Sequence, residues 1–223
     1  MPRTVGPAEP KQERAKRTRE QILAAAARTF EEVGYTAARL EDIARDAQVT
    51  KGALYFHFRS KADLALAVLE AHHARWGEIA REVSGYGADP LTTVVALSFA
   101  VGANFRSNQI ARAGVRLGNE HRAIDVELPT PFVGWVSRLT ELLEAARTQG
   151  LLAAGVDAAA AARAIVAAYF GAQEMSARLA GGRDLARRLR EWWQLFLPAL
   201  TDERTAAAVL GRVSDRGTLR VPG

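Results

Sequence analysis

No cysteine occurs among the 223 residues, which excludes disulfides, thiolate nucleophiles and cysteine-ligated metals and suits a reducing compartment. No uninterrupted apolar stretch is long enough to span a bilayer, and the N-terminus lacks the apolar core of a secretory signal. The expected setting is the cytoplasm, with no membrane partner. Lysine is scarce: four of the thirty basic residues, the rest being arginine. The spacings that carry common enzyme chemistries are also missing, with no G-x-S-x-G, no H-E-x-x-H and no glycine-rich phosphate loop after a strand. His72 and His73, with Glu70 nearby, make a poor metal cluster, because neighbours on a helix point about 100° apart. The chain is expected to be no enzyme and to need neither cofactor nor metal.

What is present is an alanine-rich, 48% hydrophobic sequence with helical periodicity almost throughout and no alternating strand pattern. The fold class is therefore all-α. Charge is unevenly placed: residues 1–61 hold twelve basic and eight acidic side chains, a net of +4, against +1 for residues 62–223. A basic first quarter suits a surface that meets phosphates. Residues 1–10, with three prolines, read as a flexible arm. A helix follows from Lys11 to Val33, which Gly34 is placed to end in a left-handed conformation. Short helices are expected at 40–47 and 50–57, and Ser60-Lys61-Ala62-Asp63 caps a long one to Val83. Asp89-Pro90 starts another. Later helices fit 108–122, 131–149, 157–180, 183–199 and 202–213, and the tail from Ser214 reads as disordered. The expected domains are the arm 1–10, a small helical headpiece 11–61, a larger domain 62–213 and the tail 214–223.

Residues 40–58 read LEDIARDAQVTKGALYFHF. Leu40, Ile43, Ala44 and Ala47 give the first short helix an inner face, Val49 plugs the turn, and Leu54 and Phe58 point inward from the second. Thr50 is placed to cap that second helix. Lys51, Gly52, Ala53, Tyr55 and His57 are left facing out. A helix that enters the major groove needs small residues where backbone approaches DNA, and donors that reach bases and phosphates. Gly52 and Ala53 supply the first need; Lys51, Tyr55 and His57 supply the second. Lys61, at the start of the next helix, adds a phosphate contact in this reading.

These residues resemble a family. The set Ile22-Leu23, Ala24-Ala25-Ala26, Phe30 and Gly34-Tyr35, followed by Ile43-Ala44, Ala47, Val49-Thr50-Lys51-Gly52-Ala53-Leu54-Tyr55-Phe56-His57-Phe58 and Ser60-Lys61, is similar to the N-terminal signature of TetR-type transcriptional repressors, over about residues 16–66. Two positions depart from it. Arg39 stands where relatives carry a capping Ser or Thr, which weakens that cap by about 1 kcal/mol. Gln48 stands where they favour Gly, at a cost on the order of 1 kcal/mol if the backbone is left-handed there.

Residues 112–139 and 154–176, with the segment 72–76, resemble the γ-butyrolactone autoregulator receptors of actinomycetes, including their furan and butenolide branches. The resemblance implies a repressor released from a double-stranded DNA operator by a small diffusible signal, typically at secondary-metabolite or antibiotic genes. It places Trp135 at the ligand-contacting tryptophan, with Phe132 three residues earlier to complete the wall. An indole offers a broad apolar surface and one donor, yet a plain core tryptophan fits the same position. His72 and His73 fall on an apolar stripe and read either as core histidines or as polar pocket residues. Tyr169 and Gln173, four apart on one helix, read either as pocket groups or as dimer packing. Gly118 and Phe132 favour a lactone- or butenolide-like signal over a carboxylate-bearing furan. A ligand-blind DNA-binding relative is the alternative. A homodimer is expected either way, because one short recognition helix reads too few bases for useful specificity.

Overall fold

A computed structural model describes residues 11–124 and 133–219. The arm 1–10, the Pro-Thr-Pro turn with Phe132, and residues 220–223 lie outside the described residues. Among those described there are ten α-helices and no strand. They form two compact units that exchange chain: residues 11–72 with 109–124, and residues 73–108 with 133–219.

The first unit contains α1 (Lys11–Ala37), α2 (Leu40–Asp46), α3 (Lys51–His57), the start of α4 (Lys61–Ser84), and α6 (Gln109–Asn119) with a 3-10 turn at His121–Ala123. Its core is Ile22, Phe30, Ile43, Leu54, Phe58 and Leu64, joined by Ala113 and Leu117 of α6. Inclusion of α6 departs from a domain cut at residue 61, and the cause is a polar clamp. Arg112 pairs with Glu31 at 2.6 Å. Arg116 donates to the carbonyls of Glu31 at 2.6 Å and Glu32 at 3.0 Å. Glu120 accepts from the Tyr35 amide at 2.8 Å. Arg116 thereby satisfies two backbone carbonyls, and Glu120 one backbone amide, close to the break in α1 at Gly34. Gly34 makes the turn at φ 79°, ψ 175°, a positive-φ extended conformation rather than the left-handed helical one expected, and a Cβ there would stand 2.5 Å from a Glu120 carboxylate oxygen.

Local signals in the headpiece behave as their chemistry dictates. Thr50 caps α3 by accepting from the Ala53 amide at 3.1 Å, and Ser60 accepts from Asp63 at 3.0 Å to open α4. Arg39 is the N-cap residue of α2 and its side chain caps nothing. Gln48 sits at φ 56°, the left-handed turn position that favours glycine.

The second unit holds the rest of α4, α5 (Pro90–Ser107), α7 (Val133–Thr148), α8 (Ala158–Ala180), α9 (Leu185–Leu200) and α10 (Glu203–Arg212). Asp89 caps α5 through the Thr92 amide at 2.8 Å, and Asp157 caps α8 through Ala159 and Ala160. Trp193, fully buried, donates from Nε1 to Ser98 Oγ at 2.8 Å, so α9 is pinned to α5. Asp184 receives hydrogen bonds from Arg188 and Ser176, which hold its carboxyl down at about 2.

The segment after Ser214 is not a disordered tail as far as Leu219. Val213 bridges Leu219, Ser214 and Thr218 bond to each other, and Arg190 holds Asp215 at 2.5 Å. Gly217, at φ 76°, lies so close to the α5 backbone at Ala96 and Ala100 that no Cβ fits.

Replacing Gln48 by Gly removes the positive-φ strain and should stabilise the protein by about 1 kcal/mol, read as a higher denaturant midpoint at unchanged slope. A lower midpoint contradicts the strain assignment.

Candidate functional site

The headpiece presents α3 with Leu54 turned into the core and one face left to solvent. Lys51 and Gly52 are exposed, Ala53 and His57 half-buried, and Tyr55 is 43% exposed. The nearest atom to a Cβ added at Gly52 is Thr50 Oγ1, its own neighbour on the chain, at 3.9 Å, so the backbone there lies open to a close partner. Lys51 is held at 2.7 Å by Glu41 of α2 and lies 5.9 Å from the centre of the Tyr55 ring. Glu41 raises the Lys51 ammonium above its ordinary value, chiefly by that hydrogen bond, and is itself lowered in return.

Phe56 was missed by sequence reasoning. It is 82% exposed on the same short helix, edge-on to His57. Leu54 and Phe58 already fill the inward face, and a residue two beyond Leu54 cannot share it. An exposed phenylalanine between two outward polar aromatics was the available signal.

Lys61 is engaged within the headpiece. Its ammonium donates to the carbonyls of Tyr35 at 2.8 Å, Thr36 at 3.2 Å and Ala38 at 3.1 Å, and lies 4.5 Å from the Tyr35 ring centre. An ammonium has three protons, and three carbonyls take them. In this arrangement Lys61 closes the end of α1, and a phosphate would draw on the same ammonium protons.

The second unit contains a small, largely apolar cavity of about 10 Å³ between α5, α7 and α8, room for about one water-sized sphere. Trp135 and Tyr169 line it together with Val94, Leu97, Ile165 and Phe170. Half-buried Trp135 stacks on Tyr169 at 5.8 Å and meets Trp76 edge-on. The Ser98 hydroxyl on this wall is already used, donating to Val95 and accepting from Trp193. The Tyr169 hydroxyl is buried with no hydrogen-bond partner among the described residues, and burial pushes its phenol well above the ordinary value.

The other ligand candidates do not converge there. Gln173 is buried one turn further along α8, outside the cavity lining. His73 is exposed, and it too lies outside the lining. His72 belongs to the headpiece unit, where it packs against α6 so tightly that a Cβ on Gly114 would stand 2.6 Å from its ring. Two neighbouring histidines are thus divided between units, and the packing reading accounts for His72. Phe132 lies outside the described residues.

Comparison with known proteins matches residues 22–68 to bacterial regulatory proteins of the tetR family, and residues 88–202 to a tetracyclin repressor-like C-terminal domain. The chain belongs to the TetR family. The A-factor receptor protein of Streptomyces griseus is 35% identical over 190 residues, covering 85% of this chain and 66% of that receptor's length, just under two thirds. A solved structure described as the molecular basis for control of antibiotic production by bacterial hormones is 44% identical, with a TM-score of 0.77, covering 82% of this chain and 97% of that one. A γ-butyrolactone receptor described as ArpA-like is 32% identical with a TM-score of 0.77, covering 88% and 94% respectively. The resemblance to the γ-butyrolactone receptors among TetR proteins therefore extends over most of the chain.

For this TetR protein, Lys61→Ala should lower stability by about 2 kcal/mol through its lost charged hydrogen bonds, while the salt dependence of DNA binding by the folded protein stays unchanged. A salt slope reduced by about one charge would restore Lys61 as a phosphate contact.

Proposed function

We propose that this protein is a cytoplasmic, dimeric transcriptional repressor that binds a pseudopalindromic operator and is released by a small, neutral, largely apolar signal of the lactone or butenolide kind. The observation that carries the ligand half is the Tyr169 hydroxyl, buried without a partner among the described residues, on a residue that lines a cavity walled, apart from Ser98, by apolar and aromatic groups. An unmet buried hydroxyl costs about 1–3 kcal/mol, which a ligand carbonyl or hydroxyl offsets on binding. The Arg106 guanidinium acts electrostatically on the Tyr169 phenol, but the described lining residues themselves are uncharged, which suits a neutral ligand. This supports the lactone or butenolide over the carboxylate-bearing furan. The resemblance to an A-factor receptor and a γ-butyrolactone receptor points the same way, and the likeness to a structure concerned with antibiotic control supports secondary-metabolite genes as targets.

Pockets for such ligands are roughly 300–1,000 Å³, far above this cavity, so binding requires Trp135 and its neighbours to move apart. The ligand then selects the opened arrangement over the closed one, and DNA affinity changes to the extent that the two arrangements differ in it. On the DNA side, the support is α3 itself. Thr50 fixes its start, Gly52 and Ala53 keep its approach low, and Lys51, Tyr55, Phe56 and His57 offer donors and aromatic surface on one exposed end. Dimerisation is supported by α8 and α9, where Met175, Leu179 and Leu195 are 51%, 71% and 81% exposed. Exposed apolar side chains on two neighbouring helices suit a four-helix contact between copies.

Two variant sets test the halves separately. Lys51→Ala or Tyr55→Ala should weaken operator binding at least tenfold in a mobility-shift assay, with an unchanged thermal midpoint; wild-type affinity in both refutes the assignment of α3 to the groove. Tyr169→Phe should leave the unliganded protein as stable as wild type, or more so, and bound to its operator, yet require roughly tenfold more of a synthetic alkyl γ-butyrolactone for release. A Phe variant that responds like wild type removes Tyr169 from the site. Trp135→Ala should likewise stay folded on DNA while losing the response, whereas early melting with loss of DNA binding marks a core tryptophan.

A further inference from the structure

Lys51 carries the only lysine charge on α3, and the structure does not leave it free. Its Nζ lies 2.7 Å from Glu41 Oε1, with both side chains more than half exposed. The Glu41 carboxylate comes from the first turn of α2, a different helix from the one that carries Lys51, so the pair joins the two arms of the helix-turn-helix. The other acids of this region are engaged elsewhere: Asp42 with Arg45, Asp46 with Arg28, and Asp63 with the amide of Arg59. A carboxylate beside a groove-facing lysine is electrostatically unfavourable toward DNA, which presents one phosphate charge per about 1.7 Å of helix axis. Its placement on the lysine of the recognition helix calls for a role that offsets this.

The ammonium geometry supplies one. Lys51 has three protons and no acceptor. Glu41 takes one of them and anchors the otherwise flexible four-carbon stem, while the Tyr55 ring 5.9 Å away limits it on another side. Two protons remain, and guanine presents two acceptors, N7 and O6, side by side in the major groove. An untethered lysine is a point charge that any phosphate satisfies. A tethered one loses less freedom on meeting a fixed pair of acceptors.

We propose that Glu41 is a specificity-determining positioning residue. It holds Lys51 so that the lysine reads a guanine edge instead of binding phosphate indiscriminately, and its own negative charge lowers affinity for DNA of every sequence. This rests on the reading that α3 faces the groove.

The test uses the full-length protein and two duplexes, one selected by the wild-type protein from a random library and one a scramble of it. Affinities for both are measured at several salt concentrations for wild type, Lys51→Ala, Glu41→Ala and Glu41→Gln. Glu41→Ala should tighten binding to the scrambled duplex and steepen its salt slope by about one charge, while the ratio of selected to scrambled affinity falls about tenfold, the lower part of what a two-pronged base contact carries. Glu41→Gln keeps an acceptor for Lys51 without the charge. It should recover most of the ratio while still binding the scramble more tightly than wild type, a rescue that a merely structural role of Glu41 would not produce. An affinity ratio for Glu41→Ala within twofold of wild type, with Lys51→Ala still impaired, overturns the role of Glu41 alone. A Lys51→Ala protein with wild-type affinity overturns the groove assignment, and the proposal with it.

Discussion

The clamp between α6 and the end of α1 is the constraint on which the organisation of this chain depends. Arg116 reaches two carbonyls at the C-terminal end of α1 and pairs with Glu120, whose other carboxylate oxygen takes the Tyr35 amide. Arg112 adds its pair with Glu31. A charged hydrogen bond to a half-buried carbonyl contributes more than an exposed ion pair, because less of it is screened by solvent. Gly34 makes the clamp possible, since its positive φ and missing side chain let the Glu120 carboxylate approach. The result is that a segment more than eighty residues downstream belongs to the DNA-binding unit.

That assignment gives a physical meaning to the path of the chain. Among the described residues, the backbone passes between the two units within α4 at His72 and His73, and again at Asn108 and Gln109. The cavity is walled by α5, and α5 leads directly into the clamped α6. Were the cavity to open, groups on α5, α7 and α8 would be displaced, and the continuous helix α4 and the α5–α6 junction are covalent routes from one unit to the other. A ligand with differential affinity for the opened cavity thereby has something to bias. The Ser98–Trp193 bond and the turn around Gly217 tie α5 to α9 and to the C-terminal segment.

The fold class and most helix boundaries were legible in the sequence because they rest on local chemistry: Asp89-Pro90, Asp157, Thr50 and Ser60 each cap the helix they precede. The costs at Arg39 and Gln48 were legible for the same reason. What could not be read was anything set by contacts distant in sequence. Lys61 has the composition of a phosphate contact, and only the folded chain brings the carbonyls of Tyr35, Thr36 and Ala38 to it. His72 and His73 are adjacent in sequence, yet they belong to different compact units. Phe56 was given no role in the sequence reading, although helical geometry turns it outward. The cavity was foreshadowed by Trp135 and Tyr169, while Gln173, inferred from spacing alone, lies outside it.

The central claim is that a neutral signal and the operator compete through one protein. Fluorescence anisotropy of a labelled operator, held by the wild-type dimer and titrated with a synthetic alkyl γ-butyrolactone, tests it most directly, with tryptophan emission followed in the same cuvette. The account predicts that anisotropy falls to the value of free DNA over the concentration range in which tryptophan emission changes. Emission that changes while the operator stays bound would contradict it.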